Sequence, residues 1–140
     1  METIPMDAYS WYAELIKPSW APPAWIFGPV WTVLYAIIAV SFGTVFYQAL
    51  RKRIPRVLTL PFVLNLAFNA AFTPLQFWAR NNALASIDIV LVLTTLLVAL
   101  VAAWHFTPRL RWIVFANVPY ALWVGFATCL QLTITVLNWK

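Results

Sequence analysis

The chain has 140 residues, of which 64% are apolar and only 9% charged, with a formal net charge of +5. A soluble domain carries roughly a quarter charged residues, so a water-facing surface cannot be assembled from this set. The positive balance does not point to nucleic acid either. The basic residues stand in short clusters between long apolar runs, as charges flanking membrane spans do.

Residues 1–24 contain Tyr9, Trp11, Tyr12, Trp20 and four prolines, a mixture expected to lie at the membrane interface as an ordered lid. The opening METIPMDAYSWYAEL has neither a basic n-region nor an apolar h-region, so insertion is expected to rely on the first span. From Pro18 to Leu50 there is no charge, and 25–50 is long enough to cross a ~30 Å hydrocarbon core with some tilt. Pro22, Pro23 and Pro29 suit a helix start, where the missing amide donor would be unpaired anyway.

Arg51, Lys52, Arg53 and Arg56 close this span, and a second uncharged run covers 57–79. Arg80, Asn81 and Asn82 turn into a third span over 83–105 with one acid, Asp88. Thr107, Pro108, Arg109 and Arg111 lead to a fourth over 112–139. The expected architecture is therefore all-α: an integral membrane bundle of four transmembrane helices in one domain, 1–140. A β-barrel is excluded, because the apolar runs are unbroken rather than alternating. The connections after spans one and three hold six basic residues, against Lys17, Arg80 and Lys140 on the other face. The positive-inside rule then places the two richer loops in the cytoplasm and both termini outside, in a bacterial inner membrane.

Polar side chains inside a bilayer are costly, so each one calls for a partner or a ligand. In span two, Asn65, Asn69, Phe72 and Gln76 share one helical stripe, expected to face the bundle interior. Hydrogen bonding between helices explains such a stripe as well as a ligand does. Span four repeats the pattern with Asn117, Tyr120, Trp123, Ala127 and Gln131, and Pro119 interrupts the backbone ladder beside them. Of nine tryptophans, Trp25, Trp78, Trp104, Trp112 and Trp139 lie near span ends and need only the aromatic belt as explanation. Trp31 and Trp123 lie deeper, where packing and ligand contact are the alternatives. Asp88 is either an interfacial acid, paired with Arg80 or Lys17, or a functional group within the bundle. Cys129 is the single cysteine and His105 the single histidine, so no metal site or cofactor is expected. No phosphate loop, nucleophile triad or paired carboxylate is present, which argues against hydrolytic or phosphoryl chemistry.

Three long segments carry a resemblance that covers almost the whole chain: WYAELIKPSWAPPAWIFGPVWTVLY from Trp11, NLAFNAAFTPLQFWARNNALASIDIVLV from Asn65, and VPYALWVGFATCLQLTITVLN from Val118. In this order they resemble the translocator proteins, also called tryptophan-rich sensory proteins or peripheral-type benzodiazepine receptors (TspO/MBR). The resemblance implies a membrane protein that binds porphyrins or similar hydrophobic ligands in a pocket inside a five-helix bundle, as a sensor, a tetrapyrrole regulator or a transporter. It implies ligand contacts at Tyr12, Pro23, Trp31, Asn65, Asn69, Phe72, Asp88, Trp123 and Ala127, to which the stripe adds Tyr120. It also implies that Trp31 and Trp123 would be the catalytic pair if the protein degrades porphyrin in light. Only ten residues precede Trp11, so the family's first helix is missing from this sequence: either the start is misplaced, or this is a four-helix variant whose bundle has an open side or is closed by a partner subunit, such as a second copy in a homodimer. The animal sterol motif requires a tyrosine where Leu132 stands, which lowers the sterol reading.

Overall fold

The computed structural model describes residues 15–22, 24–75, 79 and 81–138. These residues form helices and turns with no strand among them: α1 (Phe27–Leu50), α2 (Leu60–Thr73), α3 (Asn82–Phe106), α4 (Trp112–Ala116) and α5 (Val118–Leu137). Short 310 turns lead into three of them, at Ala24–Ile26, Arg56–Thr59 and Pro108–Leu110.

Helices α1, α3 and α5 are long and apolar enough to cross a membrane. The second expected span differs. Among the described residues it is a shorter apolar helix that leaves α-geometry after Thr73, with a π turn at Pro74 and Leu75. The cause is Pro74, which has no amide to donate back to the preceding turn. Ala79 N–H then closes on the Pro74 carbonyl at 2.8 Å, five residues back. Length and composition thus mark three spans among the described residues, where four were expected. The last span also differs from an unbroken 112–139. It divides at Asn117 into α4 and α5, because Pro119 occupies the first turn of α5 and cannot continue the ladder from α4.

The outer surface is lipid-like. Val33, Val40, Ile87, Val98, Leu122 and Val136 are all exposed, on three different helices. Hydroxyls on this surface turn back into their own helices: Thr32 donates to the Gly28 carbonyl at 2.8 Å, Thr44 to Val40 at 2.6 Å, Thr94 to Val90 at 2.8 Å and Thr133 to Cys129 at 2.7 Å. A hydroxyl facing hydrocarbon has no water to bond, and the carbonyl four residues back is the acceptor within reach.

The core runs along α1 through Leu34, Ile38, Phe42 and Val45 and meets Phe62, Val92, Leu96 and Val124. The closest backbone pairings join α2 to α3 and α3 to α5. Helix α1 approaches the others mainly at its C-terminal end, against the Arg56–Thr59 turn and α4. Its N-terminal half is held to the bundle through large aromatic side chains. The segment before α1 is fixed at the same end, where Asn138 accepts from the Ile16 amide at 3.0 Å and donates to its carbonyl at 2.8 Å.

Candidate functional site

A hydrogen-bonded network lies at the centre of the bundle and joins four helices. Tyr35 of α1 donates to Asn69 Oδ1 at 3.2 Å, and Asn69 Nδ2 donates to the Tyr120 hydroxyl at 2.8 Å. Tyr120 donates in turn to Asn65 Oδ1 at 2.8 Å, and Asn65 Nδ2 reaches the Val92 carbonyl at 2.9 Å and Thr95 Oγ1 at 3.3 Å. Tyr120 and Asn65 have no exposed surface. The α2 stripe therefore faces inward, and its two asparagines are satisfied by protein groups.

The α5 stripe disperses to three levels. Asn117 donates to Ser41 Oγ at 3.0 Å and to the Ile113 carbonyl at 2.8 Å, at the break between α4 and α5. Tyr120 joins the central network. Gln131 donates to the Asn82 carbonyl at 3.4 Å and to Thr135 Oγ1 at 3.3 Å, in a cluster completed by the Ser86 and Thr135 hydroxyls.

Between Tyr120 and Gln131 an aromatic seam forms along α1 and α5. Trp31 lies 5.5 Å from Tyr35 and edge-on to Tyr120 at 6.2 Å, measured between ring centroids. One turn earlier Phe27 meets Trp123 edge-on at 5.9 Å, and Trp123 lies 5.6 Å from Phe126. Trp20, in the segment before α1, extends the seam onto Phe126 at 5.7 Å. Trp31 and Trp123 stand in two separate sets of ring contacts, and both are partly buried against the same core. Ala127, one turn beyond Trp123, and Phe72 are partly buried against the same core.

Two buried polar atoms in this half of the bundle lack a hydrogen-bond partner, Trp123 Nε1 and Asp88 Oδ2. Asp88 is 4% exposed and sits in the second turn of α3, near the Ser86 to Thr135 contact. Such groups are seldom left unpaired, since each costs about 1–3 kcal/mol or more when charged. Lys17, outside the spans, donates to the Leu15 carbonyl at 3.2 Å, and burial holds its pKa below the ordinary lysine value. Tyr12, Pro23, Gln76, Trp78 and Arg80 fall outside the described residues. No group of metal-ligating side chains occurs among those described.

Sequence reasoning missed Tyr35, Phe27, Phe126 and Thr95. The first two were readable: Phe27, Trp31 and Tyr35 recur every four residues and mark one face of α1.

Residues 2–137 match the TspO/MBR family. The chain belongs to the TspO/MBR family. It is 37% identical to the tryptophan-rich protein TspO of Bacillus cereus over 134 residues, 96% of this chain and 84% of that one. It is 33% identical to the human translocator protein over 128 residues, 89% and 73% of the two chains. Protein CrtK of Rhodobacter capsulatus is 32% identical over 130 residues, 92% and 79% of the two. The TspO/MBR assignment and the apolar helices together make this an integral membrane protein.

Proposed function

We propose that this protein is a receptor-like binding protein for porphyrins or other flat hydrophobic ligands, seated on the α1–α5 seam and acting in tetrapyrrole or stress sensing. One observation carries the reading. Trp123, in ring contact with Phe27 and Phe126, keeps a buried indole N–H with no acceptor. Stacked rings offer a planar ligand favourable contact, and an unpaired donor beside them fixes its orientation. Trp31, Phe72, Asp88 and Ala127 complete the lining, with Asn65, Asn69 and Tyr120 setting its floor. Family resemblance adds Tyr12 and Pro23 to the proposed ligand contacts. In this reading the α2 region completes a fourth crossing, both termini lie outside a bacterial inner membrane, and the 51–56 and 107–111 connections face the cytoplasm.

The name translocator protein, borne by a relative, supports the reading of a membrane protein that handles a ligand. The test is protoporphyrin affinity in the dark for the wild type and for a Trp31→Phe, Trp123→Phe double variant. Loss of two indole contacts is expected to weaken binding about tenfold. Unchanged affinity would mean that the ligand does not stack on this seam. The two indoles also favour a second reading, light-dependent oxidative breakdown of the bound porphyrin. Loss of its absorbance under light in air, dependent on Trp123, would support that reading, and a light-stable complex would exclude it.

A further inference from the structure

Six of the nine basic residues gather at one end of the bundle. Arg51, Lys52, Arg53 and Arg56 join α1 to α2, while Arg109 and Arg111 join α3 to α4. The two connections lie at the same end of the bundle, and the Arg56–Thr59 turn packs on both α1 and α3. All are exposed except Arg111, which is half-buried. Asp88, the one acid among the described residues, lies at the opposite end of α3. The cluster therefore has no carboxylate facing it among those residues.

Two of these cations are seated on aromatic rings in the last turns of their helices. The Arg111 guanidinium lies 4.6 Å from the Trp104 ring centroid and its Nε donates to the Trp104 carbonyl at 2.9 Å, while Arg51 stands 5.9 Å over Tyr47. Tryptophan and tyrosine at helix ends mark the headgroup level, so the cations stand where lipid phosphates do. Exposed apolar side chains adjoin them directly, namely Leu50, Val57, Phe106 and Phe115. A soluble anion has no use for that apolar rim, but a lipid has acyl chains to lay on it.

Lys52 adds an independent sign. It ends α1 in the left-handed region, at φ 59°, in a Schellman motif: its own amide bonds the Ala49 carbonyl and the Arg53 amide bonds that of Gln48, at 3.0 and 2.9 Å. Glycine is the unstrained residue there, and a lysine keeps the charge at a conformational cost.

We propose that this end of the bundle is a docking surface for anionic phospholipid, with the lipid phosphate held between the 51–56 and 107–111 connections. The full chain is placed in bilayers containing equal fractions of brominated phosphatidylglycerol or brominated phosphatidylcholine, and quenching of tryptophan fluorescence is measured. The anionic lipid is expected to associate about five-fold more strongly, and the preference to shrink as salt is raised. An Arg53→Gln, Arg56→Gln, Arg109→Gln triple variant should bring the two lipids to parity. Lys52→Gly should lower the preference while raising the thermal midpoint, which separates lost charge from lost folding. Equal quenching by both lipids in the wild type overturns the proposal, as does a preference that survives both variants. Inorganic phosphate abolishing the preference beyond what sodium chloride does at equal ionic strength overturns it too, in favour of a soluble anion.

Discussion

Tyr120 is the residue on which the interior depends. Its hydroxyl accepts from Asn69 and donates to Asn65, so its removal leaves a buried acceptor and a buried donor unpaired. Tyr120→Phe is expected to lower stability by about 1–3 kcal/mol, read as the shift in the denaturant midpoint of the detergent-solubilised protein. A change below ~0.5 kcal/mol would show that the asparagines find other partners, as membrane-embedded polar groups sometimes do. That these residues point inward was legible in the sequence, because polar side chains at three- and four-residue spacing leave one inward face. Which partner each takes was not legible. Asn65 meeting Val92 and Thr95, and Asn69 meeting Tyr35, depend on how four helices are set side by side, and no local pattern encodes that.

At the scale of elements, prolines explain both departures from the expected spans. Pro74 ends the α-geometry of α2, and Pro119 separates α4 from α5, leaving Asn117 at the break with a buried side-chain oxygen that has no partner. The sequence announces each proline but not whether the helix bends, breaks or passes into a π turn. The Pro119→Ala variant is expected to join α4 and α5 into one helix, with increased helical circular dichroism and slower amide exchange over 115–121. Unchanged exchange there would show that packing, not the missing amide, holds the break. The turn after α1 was illegible for a different reason: its left-handed residue is a lysine, and the usual glycine signal is absent. Lys52→Gly should raise stability by about 1 kcal/mol in a thermal melt, as release of left-handed strain requires.

Among the described residues the molecule is a lipid-facing shell around an apolar core that encloses one hydrogen-bonded polar network, with an aromatic seam toward one end and a basic cluster at the other. Composition foretold the shell, since so few charges leave no alternative to a bilayer. The seam was half legible: Trp31 and Trp123 stood out as tryptophans too deep for an interfacial belt and the spacing of Phe27 puts it on the face of Trp31, while Phe126 became part of it only once α1 and α5 were placed together. The asymmetry between the ends also bears on topology. If α2 completes a fourth crossing, reporters fused at the two termini will both report the outer side, and a reporter inserted at 53–55 the cytoplasm. Termini on opposite sides would mean an odd number of crossings.

The central claim is that the α1–α5 seam receives a planar hydrophobic ligand. It is tested most directly by titrating the purified protein with protoporphyrin in the dark and following tryptophan fluorescence, for the wild type and for Ala127→Phe, which adds a ring beside Trp123 without touching the Asn65–Asn69–Tyr120 network. Saturable quenching in the wild type, lost in the variant while its thermal midpoint is retained, is the predicted result. Quenching that rises linearly with ligand in both proteins would contradict the account, since it would mean that porphyrin partitions into the micelle and the seam is only packing.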